Sequence, residues 1–197
     1  KAIVYRFARR YVAGPTLEDA VRTVRELEAE GAMATIDVLG ESVTRRDQTE
    51  ATRDEYLEVL DKIVANRLPA NVSVKPTAVG LSIDPRLVRE NCRAICRKAA
   101  ESGIFVRIDM EDSPYTEKTL QLALDLKEEF PNVGVVVQAY MRRTLADMDR
   151  LVAARMNVRI CKGIYVEPRE LAYKDRQVVI ENYAAIVDKH LSAGCYA

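Results

Sequence analysis

The stretch "FVRIDMEDSPY", residues 105–115, decides the fold because a β-strand pattern ends in it beside a cluster of carboxylates. Apolar Val106 and Ile108 alternate with charged Arg107 and Asp109. Successive side chains of a strand point to opposite faces, so this strand has one apolar face and one charged face. The reason for the charged face depends on what the neighbouring strands present beside it.

Four other stretches also predict strands. The predicted strands are Met33–Leu39, Val72–Lys75, Ile104–Met110, Val133–Gln138 and Val158–Cys161, and a sixth is expected to begin at Cys195. Helical patterns lie between them. The predicted helix signals are a capping box at Thr16 and Asp19, an N-cap and N1 proline at Asp84-Pro85, and helices over 116–130, 144–157 and 176–191. This alternation predicts right-handed βαβ units and a parallel sheet.

The sequence of the loop after the first strand distinguishes between two possible α/β folds. "DVLGESV", residues 37–43, has one glycine where a dinucleotide-binding fingerprint needs three. We therefore expect a distorted (β/α)₈ TIM-type barrel, which usually needs about 250 residues. The 197-residue chain supplies about five βα units, so residues 1–197 are expected to form a single incomplete barrel domain after a short N-terminal helical segment. A small open five-stranded sheet is the alternative.

Every predicted strand carries a polar residue on the same face. These residues are Asp37, Lys75, Arg107, Asp109, Gln138 and Arg159. Most lie near the C-terminal end of their strand, where barrel active sites are found. A ligand site and a solvated network of paired charges both fit this pattern.

Two further clusters lie at strand ends. Glu111 and Asp112 are expected to be exposed loop residues that cap the next helix, and no His supports a metal site with Asp109. In "RICKGIY", residues 159–165, two cations and a flexible glycine suit a phosphate or another anionic group. An ordinary turn with solvated charges gives the same pattern.

Composition narrows the class of protein. Lys plus Arg balances Asp plus Glu at 30 each, which argues against a bulk nucleic-acid binder. No apolar run is long enough to span a bilayer. The four cysteines are expected to be reduced thiols, since Cys92 and Cys96 share a helix face without further zinc ligands nearby. The single histidine, His190, is expected to be packed or solvated.

Five blocks in order resemble the proline dehydrogenase family of FAD-dependent barrels. They are "IDVLGESV" (36–43), "VSVKPTAVGL" (72–81), "FVRIDMEDS" (105–113), "VVVQAYMRRT" (135–144) and "VRICKGIYVEP" (158–168). The unbroken last block is more similar to the monofunctional enzymes than to the bifunctional fusions. Family members continue with a Thr-His block and an arginine pair that holds the substrate carboxylate. The resemblance therefore implies that this chain is C-terminally incomplete.

The resemblance also implies residue roles. The residues expected to line the proline pocket and serve catalysis are Lys75, Asp109 and Tyr165, with Met110 and Ile160 as apolar neighbours and Glu41 as part of an ion-pair gate. The residues expected to bind FAD are Val136, Gln138, Arg159, Lys162, Gly163 and Ile164. No metal is expected.

The implied reaction is oxidation of L-proline to 1-pyrroline-5-carboxylate, the first step of proline catabolism, with hydride transfer to FAD N5 and electrons passed to a quinone. The implied location is the cytoplasm, with peripheral association at the inner face of the cell membrane. Two other readings stay open. One is a non-catalytic barrel fragment, and the other is a lyase barrel that uses a metal or Lys75 as a Schiff-base amine.

Overall fold

The structure is a computed structural model and describes residues 13–40 and 43–196. The expected N-terminal helical segment and Glu41 lie outside these residues. The helices are α1 (Leu17–Ala29), α2 (Arg46–Ala65), α3 (Pro85–Glu101), α4 (Ser113–Glu129), α5 (Thr144–Ala153) and α6 (Arg176–Ser192). The strands are β1 (Ala34–Asp37), β2 (Ala70–Val74), β3 (Val106–Ile108), β4 (Val133–Gln138) and β5 (Asn157–Cys161).

The strands form one parallel sheet in the order β1-β2-β3-β4-β5, with a helix between each consecutive pair. This confirms the predicted α/β class and the predicted parallel sheet. The register places one row of residues side by side across the sheet: Asp37, Ser73, Arg107, Gly134 and Asn157. Two residues further along their strands come Lys75, Asp109, Val136 and Arg159. The predicted polar face is therefore continuous from strand to strand.

The helix starts follow the signals in the sequence. The backbone N–H of Asp19 donates to the Thr16 hydroxyl at 3.2 Å, and the Thr16 N–H donates back to the Asp19 carboxylate at 3.3 Å. Asp84 accepts a 2.7 Å hydrogen bond from the Arg86 N–H at the start of α3, where proline takes the first position. Both predicted caps are confirmed.

Several predicted boundaries differ from the structure. Helix α4 begins at Ser113 and not at residue 116, and β3 covers Val106–Ile108 and not Ile104–Met110. Helix α5 was expected to reach residue 157 but ends at Ala153, because Arg155 adopts a left-handed conformation with φ of 46° that a helix cannot continue through.

The expected sixth strand has only Cys195 and Tyr196 among the described residues, and these two are not assigned to a strand. The Tyr196 carbonyl accepts a 3.2 Å hydrogen bond from the Val158 N–H of β5, and the sixth strand stays a prediction.

The main core lies between the apolar face of the sheet and the helices. It includes Val72, Val106, Ile108, Val135 and Val158 from the strands. The predicted reduced thiols are present there: all four cysteines are free, and Cys92 and Cys96 are buried in α3. His190 is also buried, with Nε2 2.8 Å from the Tyr196 carbonyl oxygen. Among the described helices, none has the length and apolarity needed to cross a membrane.

Candidate active site

The C-terminal ends of β2 to β5 surround a cavity of about 370 Å³. Its lining residues are Lys75, Asp109, Met110, Glu111, Val136, Gln138, Arg159, Cys161, Lys162, Gly163, Ile164 and Tyr165. The set contains every described residue that the sequence assigned to substrate or cofactor, with one exception. The polar face of the sheet thus opens into a single concave site.

The exception is Ile160, which does not line the cavity. It pairs in register with Val137 and packs against the hydrophobic core on the helix side of the sheet. Its neighbours Arg159 and Cys161 have the opposite parity and face the cavity. The expected place of Ile160 beside the proline pocket is therefore wrong, because strand alternation turns its side chain to the helix side of the sheet.

An ion pair between Arg159 and Asp109 joins β5 to the end of β3 in the cavity. The same Nη2 of Arg159 lies 3.3 Å from the Ser73 hydroxyl. The Asp109 side chain is 16% exposed and the Arg159 side chain is 40% exposed, so water reaches the cation more easily than the carboxylate. The Nε of Arg159 is buried and has no hydrogen-bond partner among residues 13–40 and 43–196. Arg159 therefore keeps an unused donor at the site.

A second ion pair joins Lys75 to Asp37 across β2 and β1. The Asp37 carboxylate also lies 3.1 Å from the Tyr56 hydroxyl, which is 2.7 Å from the Ser73 carbonyl oxygen. Burial and the nearby Asp37 charge raise the pKa of Tyr56 well above its ordinary value, so the hydroxyl stays protonated. Lys75 and Asp109 thus belong to two separate ion pairs, with Asp37 and Arg159 as their respective partners.

Glu111 is buried at the cavity, so its predicted exposure is wrong. Its carboxylate accepts a 2.8 Å hydrogen bond from the Thr77 N–H and a second bond from the Thr77 hydroxyl. These donors from the β2–α3 loop compensate the carboxylate for lost water. The Glu111 carbonyl oxygen accepts a 2.8 Å bond from Gln138 Nε2. The side chain of Gln138 is therefore held in one orientation.

The expected capping of the next helix by the side chain of Asp112 is wrong. Asp112 occupies the N-cap position of α4 but makes no side-chain cap hydrogen bond to the described chain. No group of three or more His, Cys, Asp or Glu residues in the described ranges could hold a metal ion.

The loop after β5 forms one wall of the cavity. Gly163 has φ of 112°, and a Cβ on it would lie 2.1 Å from the ring of Tyr140. The Tyr140 N–H also donates to the Lys162 carbonyl at 2.8 Å. Glycine is therefore required here by the packing of Tyr140. Next to it, Lys162 is exposed and the Ile164 side chain is 87% exposed, which leaves an ammonium and an apolar group at the rim.

Arg107 lies one row beneath the cavity and does not line it. Its guanidinium stacks on the Phe105 ring at 4.7 Å and donates a 2.6 Å hydrogen bond to Asn157 Oδ1. Burial, with repulsion from Arg159, lowers the pKa of Arg107 to about 10. A Cβ on Gly134 would lie 2.5 Å from Phe105 and 2.8 Å from Arg107.

Sequence reasoning gave no role in the site to Tyr56 or Cys161, placed Asp37 only on the polar face, and predicted a capping role for Glu111. The alternation of side chains along β5 could have placed Cys161 on the polar face, because Cys161 pairs in register with Gln138. Asp37 was already on the predicted polar face. Nothing in the sequence singles out the Tyr56 hydroxyl, because its ring follows the apolar stripe of a helix.

Comparison with known proteins identifies the family. The family model described as proline dehydrogenase matches residues 20–182. Proline dehydrogenase 1 of Bacillus subtilis subsp. natto is 34% identical over 96% of this chain and 63% of that protein. The proline dehydrogenase of Deinococcus radiodurans is 35% identical over 98% of this chain and 64% of its own length. The chain therefore spans somewhat less than two thirds of these relatives.

The fold agrees with that assignment. Proline utilization A (PutA) from Bdellovibrio bacteriovorus, in a crystal structure of the protein inactivated by N-propargylglycine, superposes with a TM-score of 0.89 at 22% identity. The match covers 96% of this chain and 24% of that one, and the matched domain is of the TIM-barrel type. In sequence and in fold, this chain belongs to the proline dehydrogenase family.

Proposed function

We propose that the protein containing this chain oxidises L-proline to 1-pyrroline-5-carboxylate with FAD as its cofactor. The observation that carries the proposal is the gathering of Lys75, Asp109, Arg159 and Tyr165 around one cavity in a member of this family. Three strands and the loop after β5 supply these side chains, so their convergence depends on the complete local fold.

The residues at the cavity fit a flavin nucleotide. Arg159 has a buried Nε donor without a partner in the described chain, as expected where a polar ligand atom would complete the site. Val136 and the exposed side chain of Ile164 offer apolar surface to a ring system. The exposed ammonium of Lys162 suits a phosphate group. Gln138, Gly163 and these residues would hold the cofactor.

When bound, FAD would accept at N5 the hydride from the proline carbon beside nitrogen. The chain itself supplies charge and orientation. The Asp109 carboxylate attracts the proline amine, and its ion pair with Arg159 fixes the position of the acid. Lys75, held by Asp37, places a cation at the cavity. This engaged lysine suits a positioned charge better than the nucleophilic amine of a Schiff-base lyase.

Anaerobic absorbance of the purified protein tests this function. L-Proline should bleach the oxidised flavin bands, and unrelated amino acids should leave them unchanged. Lys75→Ala and Asp109→Ala should slow the bleaching by about 100-fold or more, because a mispositioned substrate loses that much rate. A matched control is the ion pair of Lys98 and Asp61 on the outer helices. Lys98→Ala and Asp61→Ala should react like the wild type, and equal rates for all four variants would contradict the assignment.

We further propose that electrons pass to a quinone and that the protein lies in the cytoplasm, in peripheral contact with the inner face of the cell membrane. The family resemblance supports the acceptor, and the free buried thiols suit a reducing compartment. Reoxidation of the proline-reduced protein by a soluble quinone, and sedimentation with vesicles of bacterial lipid, test these points. A reduced flavin that quinone leaves unchanged would exclude the acceptor, and protein that stays in the supernatant would exclude the membrane contact.

A further inference from the structure

The hydroxyl of Tyr56 links the outer helix layer to the charged groups of the cavity. Tyr56 lies in α2 and has no exposed surface. Its oxygen is 2.7 Å from the Ser73 carbonyl, 3.1 Å from Asp37 Oδ1 and 3.4 Å from the backbone nitrogen of Val38. A single side chain of the helix layer thus contacts both β1 and β2 where these strands end.

Two branches lead from this hydroxyl to two of the cations at the cavity, Lys75 and Arg159. One passes through the Asp37 carboxylate to Lys75. The other passes through Ser73, whose carbonyl meets Tyr56 and whose hydroxyl lies 3.3 Å from Arg159. The second branch includes backbone, which the sheet ladder already fixes. The first consists of side chains alone, so the orientation of Lys75 depends on it.

We propose that Tyr56 is a positioning residue, whose hydroxyl holds the Asp37 carboxylate in the orientation that keeps Lys75 at the cavity. The consequence for substrate binding rests on the proposed function. Asp37 ends the four-residue strand β1, and 27% of its side chain is exposed. Water therefore competes for the carboxylate, and the single proton of the buried Tyr56 hydroxyl, which is shared between Asp37 and the Ser73 carbonyl, restrains it. A phenylalanine would fill the same core space without this restraint.

Chemical labelling of lysine tests the geometry without requiring turnover. Each protein is treated with limiting acetic anhydride, and acetylation of Lys75 is measured by mass spectrometry against the exposed Lys118 of α4 in the same sample. Tyr56→Phe should raise Lys75 labelling about 3- to 10-fold, the range set by the loss of one hydrogen bond. The control, Tyr183→Phe, removes a hydroxyl from a partly buried ring in α6 and should leave the labelling of Lys75 unchanged.

A double-mutant cycle separates positioning from a general loosening of the fold. Asp37→Asn should raise Lys75 labelling by itself, and adding Tyr56→Phe should then add little, because Tyr56 acts through Asp37. If the increase in Lys75 labelling in the double variant equalled the product of the increases in the two single variants, the proposal would be overturned. Should Tyr56→Phe fail to fold, Asp37→Asn tests the dependence of Lys75 on its carboxylate partner, and unchanged labelling there would also overturn it.

Proline binding gives the functional readout. In anaerobic titrations, Tyr56→Phe should weaken the apparent affinity for L-proline about 3- to 10-fold and change the limiting rate of flavin reduction less, since Lys75 is the group displaced. A wild-type flavin that proline does not reduce would overturn the proposed function and leave the labelling result valid. Lys75 labelling in Tyr56→Phe equal to that in the wild type would overturn the positioning role whatever the protein oxidises.

Discussion

The carboxylate of Glu167 accepts a 2.7 Å hydrogen bond from the backbone N–H of Ser113, a residue 54 positions earlier in the chain. Ser113 begins α4, whose own N-cap residue, Asp112, leaves that end without a side-chain cap in the described structure. Glu167 therefore caps α4 from the loop after β5, and its negative charge lies at the positive end of the helix. The contact ties one wall of the cavity to a neighbouring helix.

Replacement of Glu167 tests this remote cap. Glu167→Ala should lower the free energy of unfolding by about 1–3 kcal/mol, because a partly buried N–H loses its charged acceptor. Glu167→Gln should lose less, since its amide oxygen can still accept the bond. Urea unfolding and the flavin-to-protein ratio measure the two effects. The control is Glu170→Ala on the exposed part of the same loop, and three variants of equal stability would contradict the cap.

Gly163 gives a second prediction. Gly163→Ala combines a left-handed backbone with a clash against Tyr140, and we expect the loop to move and flavin binding to fall at least 10-fold. Gly103→Ala is the matched control, because Gly103 has φ of 66° and open space around its Cα. The control should lose only about 1–2 kcal/mol of stability and keep its flavin. Flavin titration measures the affinity of both variants. Equal flavin affinity of Gly163→Ala and Gly103→Ala would contradict the prediction.

The buried carboxylate of Glu111 gives a third prediction through its partner. Thr77→Val removes the hydroxyl donor and leaves the carboxylate with less compensation, so the free energy of unfolding should fall by about 1–3 kcal/mol. Thr119→Val is a stringent control: its hydroxyl is buried and finds no partner in the described residues. That variant should match or exceed wild-type stability in urea unfolding. The reverse order of stabilities would refute the role of Thr77.

Alkaline stability gives a fourth prediction. Burial raises the pKa of the Cys92 thiol from 9.0 to about 12. The pKa of this thiol is higher in the folded protein than in the unfolded chain. Its contribution to the free energy of unfolding is therefore complete below pH 9.0 and is lost as the pH rises towards about 12. In that window the unfolded chain releases a proton that the folded chain retains. In this window, one such thiol lowers the free energy of unfolding by about 1.4 kcal/mol for each unit by which the pH rises.

Cys92→Ala checks the alkaline prediction. The variant should lose about 1 kcal/mol at neutral pH through the cavity it leaves, and its stability should then fall less steeply than that of the wild type above pH 9.0. Urea unfolding at pH 7, 9 and 10 provides the comparison. Parallel curves for the two proteins would show that the buried thiol does not contribute.

Periodicity predicted the sheet and much of the site because strand alternation is a local property. The register then aligned the residues of one parity, so Lys75, Asp109, Arg159 and Cys161 all reached the cavity. The end of α5 was missed for a different reason. Arg155 takes a left-handed conformation that no side chain signals in advance, and the apolar pattern continues past it.

The buried state of Glu111 and the relay from Tyr56 could not be read from the sequence. A carboxylate in a loop is exposed by default, and only the donors of Thr77, distant in sequence, change that balance. The Tyr56 ring fits an apolar helix stripe, so the placement of its hydroxyl depends on where β1 and β2 end. Both features arise from tertiary contacts between separate βα units.

The absence of a side chain at Gly134 lets Arg107 stack on Phe105 one row beneath Asp109 and Arg159. Any larger residue at position 134 would press on the ring and on the guanidinium. A substitution there would therefore disturb the support of the site while every residue that lines the cavity stayed the same.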